Sequence, residues 1–171
     1  MQPQHINAEG LRLVEEEEAF IPFVYDDLLE PRSATDTERE WKGGAVRGTL
    51  TIGYGTTAPR SRLAQGTRID RATAELWLAE DMRDAEADVA RLVKVPLNEN
   101  QLSALVSFVY NVGPGALERS TLLRLLNAGN YDAVPRELDK YVMSKGQRLR
   151  GLVRRRAREG ACEREPLLLA A

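Results

Sequence analysis

The chain holds one cysteine, Cys162, and one histidine, His5. A lone thiol cannot close an intramolecular disulfide, so folding does not depend on an oxidising compartment. With no Cys/His cluster there is no metal-ligand pattern, and neither a metal nor another cofactor is expected. An excess of one charge sign is also missing. Lysine and arginine total 24 against 26 acids, a formal net charge of −2, whereas a general nucleic-acid binder shows a clear basic excess. No stretch approaches the roughly 18 apolar residues of a membrane span, so stable membrane insertion is not expected. MQPQHINAEG has no basic start followed by an apolar run, so no cleavable signal peptide is expected and synthesis is placed in a cytoplasm. Internal repeats and low-complexity linkers are absent too.

What is present is ordinary globular material: 171 residues, 43% hydrophobic and 29% charged, enough for one domain or two small lobes. INAEGLRLVEEEEAF reads as a short helix, with Asn7 as N-cap and Leu11 and Val14 on one face. From Phe20 to about Pro59 the character changes. Pro22, the run GGAVRGTLTIGYGTT and the alternation Leu50, Ile52, Tyr54 indicate a small β lobe with turns. A helix capped by Asp70 follows, its apolar stripe running Leu78, Met82, Ala85, Val89, Leu92. Pro96 ends it, Asn98 and Gln101 form a capping box, and Gly113 closes the next helix. STLLRLLNAGN, YDAVPRELDKYVM and GLVRRRAREGACERE supply the remaining helical segments. The expectation is an α+β fold: a β lobe over about 20–60, a bridging helix over about 70–94, and a helical lobe over about 97–171, with residues 7–19 packing at the cleft.

The acids carry the chemistry. Four glutamates stand together, Glu15 to Glu18. On a helical wheel Glu15 and Glu16 point away from the Leu13/Val14 side, while Glu17 and Glu18 both flank it. Each flanking glutamate lies nine residues before an aspartate, Glu17 before Asp26 and Glu18 before Asp27. Glycoside hydrolysis uses such a pair, one carboxyl protonated to donate to the leaving oxygen and one ionised. Spacing alone leaves both pairs open.

The order GLRLVEEEEAF, VYDD, TLTIGYGTT resembles the opening motifs of phage-type lysozymes, the endolysins of glycoside hydrolase family 24. The resemblance continues through PLNENQLSALVSFVYNVGPGALERSTLLRLLNAGNY to GLVRRRARE, nearly the whole chain. It implies a lysozyme-like fold and a register: the catalytic glutamate eight residues after Gly10 is Glu18, and the catalytic aspartate two after Tyr25 is Asp27. Thr51, opening TIGYG, corresponds to the third catalytic-site residue. In these roles Glu18, set against an apolar wall, would hold its proton and act as general acid. Asp27 would stay ionised and activate a water or stabilise charge developing on the sugar, and the Thr51 hydroxyl would hold that water. A water between the acids needs roughly 6.5–9.5 Å between carboxyl groups and predicts inversion at the anomeric carbon. Tyr54, Thr57 and Tyr110 are candidate substrate-binding residues, although both tyrosines read equally well as half-buried aromatics.

Three departures from the family pattern stand out. Asp27 and Thr51 are separated by 23 residues, far more than in short family members. Thr56 replaces the histidine after GYG. Glu17 occupies a position usually aromatic, and Ala19 replaces the usual glycine. The C-terminal Arg154, Arg155, Arg156 and Arg158 read as the outer face of a helix whose Leu152 and Val153 pack inward, or as an attractor of anionic polymer.

The resemblance implies a monomeric muramidase that cleaves the β-1,4 bond between N-acetylmuramic acid and N-acetylglucosamine in bacterial peptidoglycan. It would reach the wall only after release from the cytoplasm. Two alternatives belong to other classes: a non-catalytic wall-binding or regulatory domain, motivated by the departures, and a lytic transglycosylase. The latter needs one acid and no water-activating partner, so Asp27 and Thr51 disfavour it.

Overall fold

A computed structural model describes residues 5–29, 33–57, 63–144 and 147–164. The chain divides into two compact units, Glu18–Asp81 on one side and Met1–Glu17 with Met82–Ala171 on the other. The division crosses the chain at the Glu17–Glu18 peptide and again inside a long helix, α2 (Arg71–Leu92).

The first unit is built on a three-stranded antiparallel sheet in the order β1 (Ile21–Asp26), β2 (Leu50–Gly53), β3 (Thr56–Thr57). In β1 and β2, Tyr25 faces Thr51 and Asp26 faces Leu50, with an irregularity between Ile21 and Tyr25. Gly55, at φ 92°, turns the chain between β2 and β3, a conformation that a side chain disfavours. Val24, Ile52 and Leu63 form one core cluster, with Trp41, Leu50, Ile69 and Trp77 packed against it. The long segment between Asp27 and Thr51 is tied to β1 midway. Trp41 N–H donates to the Val24 carbonyl at 2.7 Å, and Tyr25 and Glu40 form an antiparallel bridge. These bonds cover backbone groups that β1 would otherwise leave open. The buried Glu40 carboxylate is matched by Lys42 at 2.5 Å and Arg68 at 2.8 Å.

The second unit is helical. α1 (Ala8–Glu17) starts where Asn7 Oδ1 accepts the Gly10 N–H at 2.9 Å, so the expected cap is the one used. α3 (Glu99–Val112) carries the full capping box of Asn98 and Gln101, and Gly113 ends it at φ 82°. Every residue from Leu102 to Val109 is buried, so α3 is enclosed on all sides and not on one face alone. A Cβ at Gly10 would lie 2.5 Å from Ser103 Cβ; the glycine permits that close approach of α1 to α3. α3 packs against α1, α4 (Pro114–Glu118) and α7 (Arg150–Arg164), while α5 (Thr121–Asn127) packs on α6 (Val134–Leu138) and α6 on α7. A short hairpin, β4 (Met143–Ser144) with β5 (Gln147–Arg148), precedes α7; the sequence pattern gave no sign of it. Among the described residues no helix is long and apolar enough to cross a membrane.

α7 reverses one expectation. Arg155 and Arg156 point inward, at 3% and 0% exposure, while Leu152 and Val153 are only half-buried. The reason is a matched set of partners. Glu159 accepts from Arg155 Nε at 3.3 Å, from Arg156 Nη1, and from Ser107 Oγ at 2.7 Å. Arg155 also donates to the Ser107 carbonyl at 3.1 Å, and Arg156 to Asn111 Oδ1, with its guanidinium 4.9 Å from the Phe108 ring centroid. Outward arginine is the rule only where no partner compensates the loss of water.

The end of α1 is fastened to α7 by ion pairs. Arg154 holds Glu17 through two bonds at 3.1 and 3.0 Å, and Arg158 bonds Glu17 at 3.0 Å and Glu16 at 2.6 Å. Glu17 thus takes two arginines where relatives favour an aromatic. Burial pushes its carboxyl upward in pKa, but the hydrogen bonds and charges of Arg154 and Arg158 outweigh it and hold the net value below the usual carboxylate range.

Two outcomes follow in unfolding experiments. Glu159→Gln leaves two buried guanidiniums short of a counter-charge and is expected to cost about 3–5 kcal/mol in urea unfolding. Glu17→Gln is expected to lower stability at neutral pH by about 1 kcal/mol, a drop of about 2–4 °C in Tm. Because the folded-state value of Glu17 is depressed, its contribution is present above its ordinary value of 4.5 and disappears as pH falls through the folded value. The gap between wild type and Glu17→Gln should therefore close in thermal melts taken at progressively lower pH.

Candidate active site

The helix that starts at Asn7 ends at Glu17, and Glu18 is the first residue beyond it, half-buried. Its neighbour Glu17 has a side chain only 4% exposed, and its carboxylate is taken up by Arg154 and Arg158. As whole residues both glutamates are half-buried; what marks Glu17 is its pair of arginine partners.

The adjacent aspartates differ in burial as well as in partners. Asp26, the last residue of β1, is 5% exposed and collects three backbone N–H groups. Oδ1 accepts from Leu28 at 3.1 Å and from Gly48 at 3.0 Å, and Oδ2 accepts from Arg47 at 2.6 Å. The N–H of Arg47 holds its carboxyl below the usual aspartate range; burial opposes this, and the N–H groups of Leu28 and Gly48 and the charge of Arg47 add to it. Asp27 opens a short 3₁₀ turn, Asp27–Leu29, and is exposed. Its Oδ1 accepts the Thr49 N–H at 2.9 Å, and its own N–H donates to the Thr49 carbonyl at 3.0 Å.

Thr51 opens the buried part of β2 and is itself 5% exposed. Its hydroxyl donates to the Thr49 carbonyl at 3.2 Å, which leaves oxygen lone pairs able to accept from a water. Asp27 and Thr51 are therefore joined through one peptide group, that of Thr49. Glu18, Asp27 and Thr51 all belong to the sheet unit.

Thr57 stands opposite Thr51 in the ladder between β2 and β3, in the same sheet unit as Tyr54. Tyr54 is 2% exposed, with its ring 5.7 Å from Phe20 and its hydroxyl accepting from Arg71 at 2.6 Å. Thr57 is exposed on β3, and Tyr110 is half-buried on α3 in the helical unit. Thr56, which stands where relatives have histidine, is buried and donates to Asp81 Oδ2 on α2 at 2.8 Å. Two departures that motivated a non-catalytic reading, Glu17 and Thr56, thus have structural partners. Sequence reasoning missed Gly48 and Thr49. The available signal was the Gly-Thr step just before the strand, in a run read only as β lobe and turns.

The phage lysozyme family model matches residues 37–159, a span that contains Thr51 and begins beyond Glu18 and Asp27. The chain is 43% identical over 109 residues to the endolysin of Bacillus phage B103, covering 64% of this chain and 41% of that protein. It is 35% identical over 116 residues to the SAR-endolysin of Escherichia phage Mu, covering 68% of this chain and 66% of that protein. The chain therefore spans less than two thirds of the length of these relatives. Among solved structures, the muramidase domain of SpmX from Asticaccaulis excentricus has a TM-score of 0.75 at 28% identity, over 95% of this chain and 99% of that one. A small antiparallel sheet in a chain that is otherwise mostly helical is the α+β, lysozyme-like fold that the motifs implied. With the family match covering well over half its length, the chain belongs to the phage lysozyme family.

Proposed function

We propose that the protein is a peptidoglycan hydrolase, cleaving the β-1,4 bond between N-acetylmuramic acid and N-acetylglucosamine and so lysing bacteria. Glu18 is the general acid, Asp27 the ionised partner, and Thr51 the residue that holds the attacking water. We read the two compact units as lobes of one monomeric catalytic domain. Family membership supports the reaction class, and the B103 and Mu relatives are themselves endolysins.

The observation that carries the choice of residues is the division within each acidic pair. Glu17 and Asp26 have their carboxylates occupied by arginines and by backbone N–H groups. Asp27 is exposed and Glu18, the first residue past α1, is half-buried, and the family register supports these two as the acids that meet the substrate. An exposed Asp27 whose Oδ1 accepts one backbone N–H among the described residues suits a base that must take a proton from water. Thr57, exposed on the strand beside Thr51, is the substrate-contacting residue we retain. Tyr54, buried beneath Phe20 and Arg71, is assigned to the fold. Action on the wall follows release from the cytoplasm.

Permeabilised Gram-negative cells treated with the purified protein should lose turbidity, and Glu18→Gln should lower that rate by about 10²–10⁴. Full activity in Glu18→Gln would overturn the assignment of the acid. Mass spectrometry of the released muropeptides should show reducing ends; 1,6-anhydro ends, one water lighter, would mean a transglycosylase.

A further inference from the structure

The segment between Asp27 and Thr51 leaves β1 and returns to β2, and both of its ends are held by one buried side chain. Asp26 accepts the N–H of Leu28 at the start and the N–H groups of Arg47 and Gly48 at the end. The next residue, Thr49, meets the site directly. Its N–H occupies Asp27 Oδ1, and its carbonyl receives both the Asp27 N–H and the Thr51 hydroxyl. Gly48 has no room for a side chain, since a Cβ there would lie 1.8 Å from Asp27 Oδ1, 2.8 Å from Asp26 Oδ1 and 2.9 Å from Leu28 Cγ.

We propose that Asp26 is a positioning residue for the hydrolytic reaction: by fixing Arg47 and Gly48 it places the Thr49 peptide, which sets Asp27 and Thr51 relative to each other. This rests on the assignment of Asp27 and Thr51 above. The geometry suits a carboxylate and nothing else of similar shape. Three N–H donors converge on two oxygens, and an asparagine of the same size turns an NH₂ donor toward one of them. A buried donor left facing a donor is unsatisfied, and the strand return shifts to relieve it. Displacement on the order of 1 Å at a catalytic group is enough to cost about 100-fold in rate. Asp26 touches no reacting atom in this scheme; it acts through Gly48 and Thr49.

The test is Asp26→Asn, assayed as kcat and KM on a soluble glycan of alternating N-acetylmuramic acid and N-acetylglucosamine. Asp27→Asn and Glu18→Gln are run as references, and amide hydrogen exchange is read at Arg47, Gly48 and Thr49. The expected result is a folded protein with faster exchange at those three amides, kcat lowered 10-fold or more, and KM changed less than 3-fold. A merely structural role would lower Tm while leaving kcat per folded molecule intact, and that outcome overturns the proposal. Should Asp26→Asn not fold, Gly48→Ala decides. It keeps Asp26 but pushes the strand return off Asp27, and is expected to show the same loss in kcat; wild-type kcat there also overturns the proposal. If Asp27→Asn and Glu18→Gln both remain fully active, the catalytic assignment itself has failed, an outcome distinct from wild-type kcat in Asp26→Asn beside inactive references.

Discussion

A carboxylate removed from water must find donors, and each compact unit is organised around one that has found them. In the helical unit Glu159 sits at zero exposure among Arg155, Arg156 and Ser107, and this set draws α7 onto α3. In the sheet unit Asp26 gathers three backbone N–H groups and closes the long return from β1 to β2. Such arrangements add little net stability compared with apolar packing, because desolvation nearly offsets the attraction. Their consequence is geometric: a buried charge tolerates very few arrangements of its donors, so the segments that supply them are fixed in register.

Much of the fold was legible in the sequence because its signals are local. Asn7, Asp70 and Asn98 with Gln101 cap the helices they were expected to cap, each a bond between residues three apart. Gly113 stops α3, and the stripe Leu78, Met82, Ala85, Val89, Leu92 is buried along α2. The failures share a different cause. Arg155 and Arg156 were placed outside because hydropathy is a property of one residue, whereas their burial depends on Ser107 and Asn111, far away in sequence. The burial of all eight residues from Leu102 to Val109 likewise depends on the elements packed against α3, which no local pattern encodes.

The candidate site was legible only up to a twofold ambiguity. Glu17 with Asp26 and Glu18 with Asp27 have the same spacing, and no local pattern separates them. The family register implied by the resemblance chooses Glu18 and Asp27. Glu17 is held by Arg154 and Arg158 and Asp26 by three backbone N–H groups, and at the strand end Asp26 is buried where Asp27 is exposed. Neighbouring residues at a helix end or a strand end leave the backbone in different directions. One acid can then be buried while the other is presented outward.

This arrangement also changes the meaning of a doubled acid. An extra carboxylate beside a catalytic one reads at first as a charge that disturbs it, since like charges in proximity oppose ionisation. Here the extra charge is already matched: Glu17 by Arg154 and Arg158, Asp26 by N–H groups of the returning strand. What reaches Glu18 or Asp27 is chiefly a constraint on position. Glu17 ties down the last residue of α1, from which Glu18 follows, and Asp26 ties down the strand return that meets Asp27. Substitutions at Glu17 and Asp26 should therefore be judged by how far they let the backbone move beside Glu18 and Asp27, and only secondarily by the charge they remove.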